Sequence, residues 1–168
     1  RFRALKKDFI YRENRAALDS DGRLIKNDGM LKAMRQKTGY GMDLLFSSWI
    51  EHEYKALRTL FDAGCDVPYA YERGNNAILM TYIGDLELAA PALNDVELEP
   101  AEAFKLYKRV LRNIERMLSQ NYIHGDLSAY NILYWQGRIT LIDFPQVVDP
   151  RQNSSAWRIF ERDVRRVC

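Results

Sequence analysis

The alternation of apolar and polar positions divides the chain into two strong helical patterns, two hairpin patterns and irregular stretches between them. Leu45, Trp49, His52, Lys55 or Ala56, and Leu60 recur at helical spacing, which predicts a helix over residues 44–63 that Gly64 ends. Phe104, Tyr107, Val110 or Leu111, Ile114 and Leu118 form a second stripe, predicting a helix over 100–120 with Pro100 in its first turn and Asn121 closing it. Residues 69–72 and 77–83 read as antiparallel strands around a polar turn at 73–76, and the second is apolar enough to lie centrally in a sheet. Residues 132–135 and 138–142 make a shorter hairpin around Gln136-Gly137. Ser154 or Ser155 caps a last helical pattern carrying Trp157, Ile159, Phe160, Val164 and Val167. Residues 1–15 admit a helix of imperfect period through Phe2, Leu5, Phe9, Ile10 and Tyr11. Residues 19–29, with two Asp-Gly steps, read as loop, as do 86–98 around Pro91 and 144–153 with Pro145 and Pro150. Residues 30–41 are basic and ambiguous.

Composition narrows this picture only a little. A chain of 168 residues can bury one good core. A net charge of +2 gives little argument for a nucleic-acid partner. Arg3, Lys6, Lys7, Arg12 and Arg15 cluster near the start, where a solvated helix face is favoured over a phosphate or RNA surface, and Lys32, Arg35 and Lys37 form a smaller cluster. Cys65 and Cys168 make no metal or redox motif and suit a reducing cytosol, which points to a cytoplasmic protein. No apolar run reaches the roughly 20 residues that span a bilayer, so no membrane is expected. The first residue is Arg1 and the last helical pattern stops in mid-course, so the sequence is expected to be part of a longer chain, cut short at both ends.

One stretch gathers the candidate chemistry. Residues 124–143 read HGDLSAYNILYWQGRITLID. Phosphoryl transfer needs a carboxylate beside the attacking hydroxyl and oxygen ligands for the magnesium that carries the nucleotide phosphates. Asp126, Asn131 and Asp143 can supply these. Any one of them alone would suit a polar turn before a surface hairpin. Together, with His124, Asp126 and Asn131 in the spacing H-x-D-x-x-x-x-N, they favour a phosphotransferase site with Asp126 and His124 as its catalytic candidates. Glu53 is the candidate on the first long helix, because Ala56 and Leu57 at i+3 and i+4 would face inward.

The order helix, two strands, linker, helix, loop, hairpin is that of a protein-kinase-like fold from its helix C onward, with Met80-Thr81-Tyr82-Ile83 as the hinge between two lobes. The residues also resemble a particular family. His124-Gly-Asp-Leu-Ser-Ala-Tyr-Asn131, followed by Ile142-Asp143 and Gln146, is similar to the H-x-D-L-S-x-Y-N and I-D-x-x-Q motifs of the RIO atypical serine/threonine protein kinases. Residues 49–53 resemble that family's helix C, 80–84 its hinge and Pro91 its linker, so the likeness covers nearly the whole chain and is RIO1-like, of the plain kind found in bacterial members.

The resemblance implies an α+β fold: one RIO kinase-like domain with a partial N-lobe and hinge over about 1–83 and a reduced helical C-lobe over about 84–168. It implies ATP and Mg2+ as cofactors. Asp126 is then the catalytic aspartate and Asn131 and Asp143 the metal ligands. Glu53 partners an ATP-binding lysine, and Met80, Thr81 and Ile83 line the adenine site. It further implies a protein substrate of unknown identity, or ATPase action through a phosphoaspartate, and by analogy a ribosomal or RNA-associated partner. Gly125 stands where conventional kinases have arginine, and Phe144-Pro145 where they have Phe-Gly, so no activation by loop phosphorylation is expected. No glycine-rich loop or V-A-I-K lysine precedes Glu53, so the sequence as given is expected to hold half an ATP site and to be inactive by itself. Two alternatives remain. One is a small-molecule phosphotransferase of the aminoglycoside or choline type, against which Ser128-Ala129-Tyr130 speaks. The other is a pseudokinase that binds without transferring phosphate.

Overall fold

The computed structural model describes residues 9–74 and 76–167. The sequence readings at Phe2, Arg3, Leu5, Lys6, Lys7 and Cys168, and part of the turn at 73–76, lie outside the described residues.

Among the described residues nine α-helices and β-strands follow one another: α1 (Phe9–Arg12), α2 (Asp28–Gln36), α3 (Gly39–Asp62), β1 (Ala70–Arg73), β2 (Ile78–Met80), α4 (Pro100–Ser119), β3 (Ile132–Trp135), β4 (Arg138–Leu141) and α5 (Ala156–Val167). The ambiguous basic stretch is helical. Asn27 caps α2 by accepting from the Met30 N–H, and Lys37 ends it in the left-handed region. Helix α3 starts at Gly39, earlier than expected, because Thr38 caps it through the Gly41 N–H. Its buried stripe is Ser48, Glu51, Ala56, Leu57 and Leu60, whereas Leu45, Trp49 and His52 are only partly covered. Gly64, at φ 76°, ends it as expected.

The main core joins α3, α4 and the second hairpin. Leu57, Leu60, Met117, Leu127, Ile132, Leu141 and Phe144 are each at most 2 % exposed. Burial of each such side chain contributes about 2 kcal/mol. In α4 the inward residues are Leu106, Val110, Asn113, Ile114 and Met117. Phe104 and Leu118, expected in the stripe, are exposed.

Strand β1 pairs antiparallel with β2, with an irregularity between Ala70 and Glu72, and β3 pairs antiparallel with β4. Leu79 in β2 is exposed, so the described sheet does not bury that strand on both faces. One corner ties these parts together. Asp66 receives Nε and Nη2 of Arg109, one guanidinium edge, at 2.5 and 2.6 Å, and Asn113 Nδ2 at 2.7 Å. Its own carbonyl accepts the Leu141 N–H at 2.7 Å. The α3–β1 connection therefore fixes α4 and β4 at once, and β4 leads directly to Asp143.

A second cluster of Tyr11, Ile123, Val148, Ala156 and Ile159 joins α1, the strand-like pairing of Ile123 with Val148, and α5. The two basic residues of the first cluster that can be described turn inward rather than to a ligand surface. Arg12 lies over the Trp49 ring at 4.5 Å, and Arg15 donates to the Pro145 and Val147 carbonyls.

Candidate active site

The loop after α4 is built from its backbone outward. Asn121, in the left-handed region at φ 58°, turns the chain out of the helix. Ile123 exchanges two backbone hydrogen bonds with Val148, of 3.0 and 2.9 Å. His124 follows, 1 % exposed, with its ring 4.5 Å from that of Phe144. A carbonyl can only accept, so the 3.1 Å contact with Ile142 O places the proton on Nε2, and Nδ1 then accepts the Asp126 N–H at 3.3 Å. Burial holds this imidazole down at about 4. A ring so enclosed, with both nitrogens occupied, is placed to orient the loop.

Gly125 is demanded by the geometry. Its φ is 87°, and a Cβ there would fall on the Gln146 carbonyl. The arginine of conventional kinases therefore has no room at this position. Its N–H donates to Asp163 Oδ2 at 2.7 Å, from α5. Leu127, 1 % exposed, anchors the far side of the loop. Between these two anchors Asp126 is held half-buried. Asn131 closes the turn (Ala129–Asn131) by donating from Nδ2 to the Asp126 carbonyl at 2.8 Å and to Asp126 Oδ2 at 3.4 Å. That orientation turns Asn131 Oδ1 away from Asp126, as an oxygen for another ligand.

Asp143 comes at the end of β4 in the left-handed region, φ 68°. Burial and the Asp126 charge both raise its carboxyl above the usual range. Glu53, from α3, is pushed up to about 7, first by burial and then by the charge of Asp143, against a hydrogen bond from the Phe144 backbone. Glu53, Asp143 and Asp126 thus form a run of mutually repelling acids. Such a site favours a cation, and its donors are the hard oxygens that magnesium takes. Among the described residues no group of three or more His, Cys, Asp or Glu could hold a metal.

Of the residues expected to form a hinge, Met80 ends β2 and Thr81 to Ile83 follow it. Thr81 N–H is committed to the Tyr69 carbonyl at 2.9 Å, and the Ile83 carbonyl to the Ala90 N–H at 2.9 Å. Met80 packs against the main core. Gly84, at φ 142°, lets the chain pass over the Leu88 carbonyl, where a Cβ would collide.

Comparison with known proteins decides the family. The model for the RIO domain matches residues 9–168. The chain belongs to the RIO family. Its mixture of helices and small antiparallel sheets is the expected α+β, kinase-like fold. It is RIO1-like. It is 36 % identical over 103 residues to the serine/threonine-protein kinase rio1 of Schizosaccharomyces pombe, covering 60 % of this chain and 21 % of that protein. It is 33 % identical over 116 residues to the RIO-type serine/threonine-protein kinase Rio1 of Thermoplasma acidophilum, covering 69 % and 59 %. The human serine/threonine-protein kinase RIO1 is 31 % identical over 106 residues, covering 62 % and 19 %. The chain therefore spans less than two thirds of the length of these relatives. No described helix is long and apolar enough to cross a membrane.

The motif reading did not find four further side chains of this RIO domain, three on α5 and one on α3. Asp163 of α5, 2 % exposed, holds the Gly125 N–H, and Arg162 beside it reaches the Gly125 carbonyl and, at 2.6 Å, the Tyr11 hydroxyl. Burial raises the Asp163 carboxyl, with Arg162 and the loop N–H groups opposing. Glu51, not Glu53, is the fully buried acid of α3, paired with Arg73 of β1 and with Lys55 at 3.4 Å. Arg166 of α5 meets Asp126 itself at 2.6 Å. The signal that could have exposed Asp163 was its place on the apolar face of α5, four residues from Ile159.

Proposed function

We propose that this chain carries the catalytic machinery of a cytoplasmic, ATP-dependent phosphotransferase of the RIO serine/threonine kinase type. The observation that supports this most is Asn131. Its side chain ties the Asp126 backbone and carboxylate to the turn that begins β3, while Ile142 N–H donates to its carbonyl at 3.0 Å. Asp126, Asn131 and the start of the Asp143 segment are thereby built as one unit. In this reading residues up to 83 are the remainder of the N-lobe with its hinge, and 84–168 are the C-lobe.

Each residue then has a task. Asp126 would orient the acceptor hydroxyl and take its proton as the new oxygen–phosphorus bond forms and the bond from the γ-phosphorus to the departing ADP breaks. Asn131 Oδ1 and the Asp143 carboxylate would hold Mg2+, and Glu53 would pair with the ammonium group of an ATP-binding lysine. Bound magnesium-ATP supplies the γ-phosphoryl group and the charge neutralisation that its transfer requires. The Thr81 carbonyl and Ile83 N–H, the groups left over from the two backbone bonds above, would bind the adenine beside Met80. His124 keeps the Asp126 N–H engaged, which holds the backbone that carries the catalytic carboxylate.

The test is Asp126→Ala in the full-length protein, assayed for Mg2+-dependent transfer of label from ATP to protein serine. The expected loss is about 10²- to 10⁴-fold in rate, with the thermal midpoint little changed because Asp126 sits in a loop. Wild-type turnover by the variant, or undiminished transfer after the metal is chelated, would refute the reading.

A further inference from the structure

Arg166 lies in the last turn of α5, and its Nη1 is 2.6 Å from Asp126 Oδ1. The other carboxylate oxygen faces Asn131 Nδ2 at 3.4 Å. Both oxygens of the group that is to receive a hydroxyl are thus engaged. The neighbouring arginines of α5 are anchored differently. Arg162 is tied to Tyr11, Gly125 and Asp163, and Arg165 pairs with Glu161 one turn back on its own helix. The Arg166 and Asp126 side chains are 43 % and 35 % exposed. An ion pair this open to water is worth little to stability and exchanges readily for a competing anion.

We propose that Arg166 is a specificity-determining gate, which releases Asp126 to an acceptor carrying a carboxylate one or two residues from its hydroxyl. This rests on Asp126 being the catalytic carboxylate. A neutral acceptor must break the ion pair and leave Arg166 to water. An acidic acceptor takes the guanidinium in exchange, so no charge pair is lost when the hydroxyl reaches Asp126. The reach is short. Consecutive Cα atoms are about 3.8 Å apart, so a guanidinium touching Oδ1 can meet only side chains adjacent to the acceptor serine or nearly so. Arginine suits the exchange because its planar fork grips one carboxylate as well as another and stays charged throughout. Without Arg166, an acidic acceptor meets the repulsion of Asp126 and Asp143 with nothing to offset it.

The test uses the full-length protein with Mg2+ and ATP. Its acceptors are two serine peptides that differ only in glutamate against glutamine at the positions flanking the serine. Wild type should favour the acidic peptide about two- to fivefold in kcat/KM, the worth of one half-exposed charge pair. Most of the preference should lie in the peptide KM. Arg166→Met should abolish or invert the preference, and Arg166→Lys should restore part of it. A preference that survives Arg166→Met overturns the gate, as does an effect confined to the KM for ATP. Absence of transfer to either peptide by wild type also counts against it. Asp126→Asn, run beside these, separates the two ideas. If it is inactive while Arg166→Met keeps the preference, only the gate falls. If it works like wild type, the catalytic reading falls and the gate with it.

Discussion

Acid should weaken the fold through His124 over a window fixed by its burial. Desolvation holds the folded imidazole at about 4, against 6.5 for an exposed one. Above pH 6.5 the ring is neutral in both states. Below that, the unfolded chain takes up a proton that the folded chain refuses. The stabilisation from neutral burial is therefore fully present above pH 6.5 and is lost as pH falls towards 4. The loss is about 2 kcal/mol at pH 5 and roughly 3 kcal/mol by pH 4. A raw stability curve would blur this, because Glu53 works in the opposite direction over an overlapping range. The difference between wild type and His124→Asn isolates it. Wild type should be the more stable at pH 7, and its advantage in urea denaturation should shrink by about 2 kcal/mol at pH 5. A second measurement needs no variant stability. The chain has two histidines, and His52 is also held at about 4, by burial beside the Ala16 carbonyl. Neither Cε1–H resonance should titrate near pH 6.5 in the native protein. A native midpoint near 6.5 that vanishes in His124→Asn would refute the argument and restore His124 as a proton carrier.

Gly125→Ala should destabilise by more than the roughly 1–2 kcal/mol of a left-handed residue, because the new methyl also meets the Gln146 carbonyl; an unchanged denaturation midpoint would contradict this. Glu53→Gln should stabilise the 168-residue chain selectively at high pH. The Glu53 carboxyl is raised to about 7 in the fold, so the stability of wild type falls as pH rises from about 4.5 to 7, by roughly 3 kcal/mol at most. Thermal midpoints at pH 5 and pH 8 check the sign, and an equal effect at both would show that the Glu53 charge is not buried.

The helices were legible as elements, but their inward faces were less so. In α4 the apolar residues spread over two overlapping stripes, and a polar residue chose between them. Asn113 is fully buried because Asp66 and the Arg109 carbonyl satisfy its amide. Counting it as surface displaced the expected stripe towards Phe104 and Leu118. Helix α3 hid its face in the same way, with Ser48 receiving the Leu18 N–H at 3.0 Å and Glu51 receiving Arg73. Helix α2 was missed because it has only nine residues, with a glycine near the start, too few for the helical spacing of Met30, Ala33 and Met34 to stand out. What marked it was the Asn27 cap.

The site divides along the same physical line. Asp126, Asn131 and Asp143 were legible because twenty consecutive residues contain them and their backbone bonds are local. The groups that hold or restrain Asp126 from a distance, Asp163 and Arg166, lie 38 residues from Gly125 and 40 from Asp126. Motif spacing carries no information over that range; only burial does. An acid on the apolar face of an amphipathic helix must be compensated, since an unpaired buried carboxylate costs several kcal/mol. For Asp163 the compensation is the Gly125 N–H and Arg162. The loop is thus held to α5 by a contact that would be costly to leave unmade. The same turn of helix that fixes the loop sets Arg166 against its carboxylate, so support and restraint of Asp126 come from one element and should be lost together if α5 is unwound.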